Sequence, residues 1–458
     1  MSRVALIAPA ARLRAMLVVV ADLGSVQLVG PVPAPQGEAV EALRRLERAG
    51  PQEGKAGPRL SADEPDLELL EREGRRELLA GEVELRRRAE AAVTRRGFAV
   101  LVGWTPTPDV EALAERLARV GAAVVPLPRP SLVEPPTLLR PRDAVARVRP
   151  LVDTYGASRY ADIDPTPFAA VSFLLMFGMM FGDVGHGLML AALGLLLCRS
   201  RASRLQGLRS LWPFAVAGGL VAAGFGLLYG EAFGPTGIVP ALWIRPLDEP
   251  LRLLAVAVGV GALLLALGYG IGILNRWRES GPRAALVAPS GLAGLAVFVG
   301  GGVLALGVYL GAAPATLAGA AIAVGGVLLL FAGFAAEAGF SGAGVTQAVI
   351  EVLDAVVRVV ANVASFARLA AFGLMHAALG LVVLDGARYL WSAGVGWAIA
   401  AIVLFAVGTA AAFTLETLVA GVQAMRLEYY ELFSRIFAGE GEPFSPWSIP
   451  VTDWSRPA

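Results

Sequence analysis

The residues with the clearest chemical potential are an arginine and a histidine inside an otherwise apolar segment. Residues 363–384 read VASFARLAAFGLMHAALGLVVL, with Arg368 near the start and His376 eight residues later. An ionised arginine at a bilayer centre costs about 2.5–3.5 kcal/mol on insertion scales. Arginine stays protonated in proteins. Arg368 therefore cannot relay a proton, but it can pair with a passing carboxylate.

Other polar residues of the predicted helix that contains this segment share one side of a helical wheel with Arg368. At about 100° per residue, Asp354, Ser365 and His376 all fall within about 80° of Arg368. Aspartate and histidine can bind and release protons, so they suit a path through which ions reach the arginine. Arg358 lies on the same side of the wheel. A position in a solvated first part of the helix is an equally good explanation for this arginine as a role in the path. The pattern predicts a polar stripe along one helix inside the membrane.

The next apolar segment repeats this pattern around a second arginine. Glu416 and Gln423 fall within about 80° of Arg426 on the wheel. Arg426 also stands close in sequence to Glu428 and Glu431, so a side chain that snorkels to the membrane surface remains an alternative.

Three further polar residues lie at predicted helix ends. His186 stands beside Asp183, and Glu231 follows the apolar run that ends in LLYG. Capping of the helix ends is at least as good an explanation for them as a functional role.

Composition divides the chain into a polar first part and an apolar second part. The chain has 458 residues, of which 56% are hydrophobic, and its mean hydropathy is +0.63. About three-fifths of its charged residues precede residue 165. These values predict a cytoplasmic domain at 1–164, a membrane domain at 165–437 and a cytoplasmic tail at 438–458. The net charge of +1 gives no reason to expect nucleic acid.

No sequence motif indicates a cofactor or a metal site. The single cysteine, Cys198, excludes an internal disulfide and a cysteine-based metal cluster. Lys55 stands alone outside any phosphate-binding loop, so we expect no nucleotide site on this chain. The first twenty residues lack a cleavage site and contain Arg12 and Arg14, which argues against a signal peptide.

The first part alternates strand and helix patterns, which predicts an α/β or α+β domain. Two pieces with strand–helix–strand order flank two polar helices, EAVEALRRLERA and DLELLEREGRRELLAGEVELRRRAEAAV. The Pro- and Gly-rich stretch GPQEGKAGPRL joins these helices, so we expect a short helical hairpin. Its leucine stripe would bind a partner helix or pack on its own domain.

The second part predicts an all-α membrane domain of eight helices. They lie near 168–181, 184–198, 211–229, 251–274, 286–311, 317–335, 347–384 and 397–437. The last two, at about 37 residues and about 55 Å each, exceed a hydrocarbon core of about 30 Å, so we expect strong tilts. Basic residues follow the second and fourth helices, among them Arg201, Arg204, Arg276 and Arg278. By the positive-inside rule both termini then face the cytoplasm.

Several long motifs resemble the membrane subunit of V/A-type rotary ATPases, called I in prokaryotes and a in eukaryotes. They include DPTPFAAVSFLLMFGMMFGDVGHGLML, GFGLLYGEAFG, ASFARLAAFGLMHAAL and LETLVAGVQAMRLEYYELFSRIFAGEGEPFSP. The resemblance implies an eight-helix stator domain with two offset half-channels. It assigns the indispensable arginines to Arg368 and Arg426, and half-channel positions to Asp354, His376 and Glu416. Asp354 stands where glutamate is commoner, and the cytoplasmic part is about half the family's usual size.

The resemblance also implies the function and the partners. The chain would be a stator subunit that moves H⁺ or Na⁺ against a rotor ring of c/K subunits in a prokaryotic plasma membrane. Its other partners would be peripheral stalk subunits of E/G type, a central rotor subunit of C/d type and, indirectly, an A/B-type ATPase head. ATP chemistry would belong to those partners. Two alternatives remain open: a stand-alone channel or secondary transporter, and a non-conducting assembly scaffold.

Overall fold

The computed structural model describes residues 1–30, 34, 36–48, 57–130, 133–138, 159–160, 162–200, 209, 211–339, 341–437 and 441–452. These residues form two compact units. The first contains the described residues up to 138 together with 159–160 and 441–452, and the second contains those from 162 to 437. Most of the linker of the predicted hairpin, at 49–56, lies outside the described residues, as do Lys55, Arg201 and Arg204.

The first unit has an α/β fold built on an antiparallel sheet. The strand order is β2-β5-β1-β6, and β4 pairs with residues 98–100 of β5, on the same side of that strand as β2. In chain order its elements are β1 (Ser2–Pro9), α1 (Leu13–Leu23), β2 (Gln27–Val29), α2 (Glu38–Arg48), β3 (Leu60–Ser61), α3 (Leu67–Arg72), α4 (Arg76–Glu90), β4 (Val93–Arg95), β5 (Phe98–Thr105), α5 (Val110–Ala118), β6 (Ala123–Leu127) and β7 (Val451–Thr452).

The polar helices α2, α3 and α4 pack against one another. The predicted long second helix is divided at Gly74, whose φ of +68° lies in the left-handed region that favours glycine. Leu70, Leu78 and Leu79 are buried together with Ala42 of α2. Much of the leucine stripe is thus covered within its own unit.

The C-terminal segment completes the core of the first unit. Trp447 and Ile449 are buried in the same apolar cluster as the sheet and α1. The Trp447 amide donates to the Val26 carbonyl at 2.9 Å, and the Ile449 amide donates to that of Ala21 at 3.2 Å. β7 then pairs in parallel with β3. The described residues of the expected tail are therefore part of the α/β unit rather than a separate element.

Replacing Trp447 with alanine is expected to release this segment. Trp447 is 8% exposed, and truncating a buried tryptophan costs about 3–5 kcal/mol. Hydrogen–deuterium exchange of the full chain should show at least tenfold faster exchange at residues 445–452 and at β3. Phe98→Ala is the matched control, because Phe98 lies in the same unit but is 52% exposed. Unchanged exchange in the Trp447 variant would contradict the anchoring role.

The second unit is mostly helical, with several long apolar helices. In chain order they are α6 (Thr166–Met180), α7 (Val184–Arg199), α8 (Trp212–Tyr229), α9 (Pro250–Val287), α10 (Leu292–Tyr309), α11 (Ala313–Ala338), α12 (Gly342–Ser365), α13 (Ala367–Ser392), α14 (Ala398–Leu427) and α15 (Ser434–Ile436). A π-helical turn, Glu428–Phe433, joins α14 to α15.

Among the described residues, six helical stretches are long and apolar enough to cross a membrane. The two longest are Gly342–Ser392, with 51 residues, and Val395–Ile436, with 42 residues. α6 and α7 are also apolar but shorter. The structure thus agrees with a multi-helix membrane unit and makes the last two stretches longer than the sequence predicts.

Two helices differ from the segments predicted from the sequence. α9 leaves helical geometry at Gly281, where φ is +83°, directly before Pro282. The segment predicted at 347–384 is divided at Phe366, where the backbone makes i→i+3 bonds from Phe366 to Val363 and from Leu369 to Phe366. Phe366 is fully buried, and its ring occupies a notch at Gly261 of α9, where a Cβ would lie 2.1 Å from the ring.

Close packing of α7 on α8 sets the position of the polar residues at their ends. A Cβ on Gly219 of α8 would lie 2.4 Å from the Gly187 carbonyl oxygen of α7. Only glycine permits this approach. It places the first turn of α7 beside the loop that follows α8, where the polar residues described next are found.

Candidate functional site

A buried group of five side chains, here called the histidine–carboxylate cluster, lies inside the second unit. Its members are Asp183, His186, Glu231, His376 and Glu416, and none is more than 4% exposed. They come from the start of α7, the loop after α8, α13 and α14. Ionisable residues are rarely buried unless they are paired, so the cluster is a strong candidate for a functional site.

Asp183 is fixed by the backbone around it. Its side chain caps α7 by accepting from the His186 amide at 2.8 Å, and it accepts from the amides of Phe233 at 3.0 Å and Gly234 at 2.7 Å. The loop after α8 can approach because Gly230 and Gly234 have φ values of +74° and +87°. The capping role considered for Asp183 is present, and the same carboxylate also faces His376.

His376 is the centre of the cluster. Its Nδ1 contacts a carboxylate oxygen of Glu416. Its Nε2 lies 3.6 Å from Asp183 and 3.9 Å from Glu231. The His186 ring lies 5.4 Å away between ring centroids. One imidazole therefore connects carboxylates from three separate parts of the chain.

Aromatic rings surround the two histidines. Phe181 lies 5.5 Å from the His376 ring, and Phe233 and Phe413 lie 5.4 Å and 5.8 Å from the His186 ring. Such apolar walls lower the local dielectric and strengthen every electrostatic interaction inside. The cluster can therefore hold ionisable groups in strong mutual contact.

A second polar site lies around Arg368. Its Nη1 lies 3.5 Å from Oε1 of Glu431, with side-chain exposures of 31% and 7%. Ser365 and Arg426 also lie within interaction range of Glu431. Glu431 belongs to the π-helical turn, and such turns are frequent at functional sites. We call these four residues the arginine site.

The structure adds a partner for Arg368 that the sequence does not predict. Besides the passing carboxylate expected from the sequence, Glu431 of the same chain lies 3.5 Å from the arginine. The wheel could not show this because Glu431 lies on a different helical stretch, 63 residues along the chain.

The remaining predicted site residues lie apart from the cluster's buried centre. Asp354 is exposed and forms an ion pair with Arg358 one turn later. Arg426 is exposed near the end of α14, and Gln423 is half-buried one turn before it. The division at Phe366 separates α12, which carries Asp354, from α13, which carries Arg368 and His376.

Sequence reasoning gave too little weight to Asp183, His186 and Glu231, and it missed Glu431 as a partner. The first three were assigned mainly to helix ends because their common location depends on how α7, α8 and α13 pack. One signal was available: the chain has only two histidines, and His186 stands three residues after Asp183.

A buried carboxyl group next to the arginine site gives a test of the packing. Glu428 is fully buried, and the Ser172 hydroxyl of α6 lies 2.7 Å and 2.9 Å from its two oxygens. Ser172→Ala should destabilise the chain by about 1–3 kcal/mol, because it leaves a buried acceptor without this donor. The readout is the thermal midpoint of the purified chain in detergent.

The matched control for this change is Thr414→Ala. The Thr414 hydroxyl is exposed and bonds only to a carbonyl of its own helix, that of Ala410. Its removal should leave the midpoint almost unchanged. Equal shifts in the two variants would mean that the contact between Ser172 and Glu428 contributes nothing specific.

Comparison with known proteins identifies relatives of this chain. A model of the V-type ATPase 116 kDa subunit family matches residues 91–223. An A-type ATP synthase subunit I from Pyrococcus horikoshii is 27% identical over 365 residues, which cover 76% of this chain and 53% of that protein. Its counterpart from Halobacterium salinarum is 29% identical over 381 residues, covering 68% and 51%.

A eukaryotic relative matches a shorter region. The human V-type proton ATPase 116 kDa subunit a 3 is 33% identical over 154 residues, which cover 31% of this chain and 19% of that protein. The chain spans about half the length of the curated archaeal relatives that it matches.

Proposed function

Because the chain belongs to the V-type ATPase 116 kDa subunit family, we propose that it is the membrane stator subunit of a V/A-type rotary ATPase or ATP synthase. In this role Arg368 faces a ring of small rotor subunits of c/K type, and polar side chains form two half-channels for H⁺ or Na⁺. The observation that carries the proposal is a half-exposed arginine in a stretch able to span a membrane, beside a buried carboxylate on another helix.

Arg368 would act as a fixed positive charge. At about 4 Å and an effective dielectric near 20, its attraction for a rotor carboxylate is about 4 kcal/mol. This is enough to displace a bound proton or sodium ion from that carboxylate. Glu431, at 3.5 Å, would serve as the arginine's partner between successive rotor subunits. Arg426 would add a second positive charge at the same site.

The two half-channels would be formed by different residues. The histidine–carboxylate cluster, with His376 and Glu416 in contact, suits the path on one side of Arg368. Asp354, Ser365 and Gln423 suit the path on the other side and its junction with the arginine site. Because Arg368 lies between them, an ion could not cross without first binding to the rotor.

Helix length supports a curved rotor-facing surface. At 1.5 Å per residue, a 51-residue helical stretch measures about 76 Å, against a hydrocarbon core of about 30 Å. We propose that the unit crosses the membrane with eight helices and that the last two stretches lie strongly tilted. The two long helical stretches would then run along the side of the rotor ring.

Orientation and partners follow from the same proposal. Basic residues at the end of α7 and in the last part of α9, such as Arg199 and Arg278, support a cytoplasmic location for these ends in a prokaryotic cell. The first unit and both termini would lie on that side. There the first unit would contact peripheral stalk subunits of E/G type and the central C/d-type subunit, which connect it to the ATPase head.

The test is ATP-driven ion uptake in membrane vesicles that contain the complete complex. Uptake should require this chain, and it should be lost when only this chain is omitted while the head still hydrolyses ATP. Ion flux through the isolated chain in liposomes would instead indicate a stand-alone channel. Uptake that persists without the chain would refute the stator role and leave a scaffold.

A further inference from the structure

The histidine–carboxylate cluster, which the proposed function assigns to one ion path, also contains an arrangement of donor atoms that can bind a metal ion. A metal ion bound there would occupy that path. The chain has two histidines, and although they are 190 positions apart in sequence their rings lie 5.4 Å apart. One donor atom each from Asp183, His186 and His376 can be chosen so that all three lie within 4.8 Å of one another.

The distances between donor atoms suit a small tetrahedral cation. With metal–ligand bonds of about 2.0–2.2 Å, neighbouring ligands of a tetrahedral zinc ion lie about 3.3–3.6 Å apart. His376 Nε2 lies 3.6 Å from Asp183 Oδ2 and 3.9 Å from Glu231 Oε2. His186 Nδ1 lies 3.8 Å from the Asp183 carboxylate. Asp183, His186 and His376 thus present donor atoms at a spacing close to that of a metal centre, and Glu231 adds a carboxylate beside His376.

The same atoms lack hydrogen-bond partners. Among the described residues, both ring nitrogens of His186, Nε2 of His376 and Oε2 of Glu231 are buried with no hydrogen bond. Buried polar atoms in proteins are almost always satisfied. Unsatisfied atoms on three neighbouring buried side chains therefore indicate a ligand between them.

The surrounding groups orient the donors as they do in known metal centres. A histidine that binds a metal usually donates its other ring N–H to a carboxylate, which fixes the tautomer. Glu416 contacts Nδ1 of His376 in this way, leaving the Nε2 lone pair directed to the centre. Backbone amides hold Asp183.

We propose that His186, His376, Asp183 and Glu231 bind one transition-metal dication, with Zn²⁺ as the best fit. Two imidazoles with carboxylates favour zinc over magnesium or calcium, which prefer six or more oxygen ligands. The negative carboxylates balance the charge of the ion in this apolar environment. The sequence predicts no metal site because its four ligands come from three separate motifs.

The test measures the metal content of the full chain, purified with an affinity tag free of histidine. After incubation with ZnCl₂ and removal of excess metal, elemental analysis should find close to one zinc ion per chain. Zinc X-ray absorption should show two imidazole ligands. His186→Gln and Glu231→Gln should each weaken binding at least tenfold, and Glu416→Gln about 10- to 100-fold.

Cys198→Ser is the matched control, because it removes the chain's only thiol and should leave zinc binding unchanged. The absorption spectrum of the wild-type chain tests the site even if a histidine variant fails to fold. Binding far below one ion per chain, a spectrum without imidazole, or loss of zinc in the Cys198 variant would overturn the proposal. These readouts do not depend on ion transport, so the stator role and the metal site can fail separately.

Discussion

Arg368→Ala is expected to reduce ATP-driven ion uptake at least about 100-fold while the complex still assembles. The alanine removes the charge that attracts a rotor carboxylate. An attraction of about 4 kcal/mol corresponds to about a thousandfold in equilibrium. Arg368→Lys should retain part of the activity, since lysine supplies a point charge but not the planar guanidinium. Uptake is measured in vesicles, with ATP hydrolysis and subunit composition recorded in parallel.

The control for this experiment is Arg388→Ala on the same helix. Arg388 is exposed and pairs with Asp385 one turn earlier, far along α13 from the arginine site. Its replacement should leave uptake within about twofold of wild type, because an exposed ion pair contributes at most about 1 kcal/mol. Equal losses in both variants would point to general damage. Normal uptake in Arg368→Ala would remove Arg368 from the mechanism.

His376→Leu is expected to destabilise the chain by about 3–5 kcal/mol, the usual cost of removing one partner from a buried pair. The leucine would leave Asp183, Glu231 and Glu416 buried without the imidazole that connects them. Glu416→Leu should cost a similar amount. The double variant should cost clearly less than the sum, because it removes both partners of one contact. The measurement is a double-mutant cycle on thermal midpoints in detergent.

Met375→Leu is the matched control for the leucine substitutions. Met375 is the neighbour of His376 in α13 but is 38% exposed, so the change should shift stability by less than about 0.5 kcal/mol. Strictly additive effects in the cycle would show that His376 and Glu416 do not stabilise each other.

Helix ends in the second unit were predicted well where caps or breaks are local. Asp183 caps α7 and Gly230 ends α8, both within a few residues of the predicted ends. Phe366 divides a predicted helix because its side chain packs at Gly261, a residue about a hundred positions earlier. No local pattern contains that information. Gly74 divides α3 from α4 through its own backbone preference, with a φ of +68°.

The residue types and their spacing by themselves determined that this is a protein with several membrane-spanning helices, and that one of these helices carries a charged side chain, Arg368. Apolar stretches long enough for a bilayer must be helical there, and an arginine inside one must have a partner. Only the tertiary structure decided which partners meet. Glu431 reaches Arg368, and Asp183, Glu231 and Glu416 surround His376, because α13 packs on α14 and α7 on α8, and because the loop after α8 contacts α13 at Gly380. The periodicity of the sequence shows which face of a single helix is polar. The packing of the helices decides which side chains of other helices lie against that face.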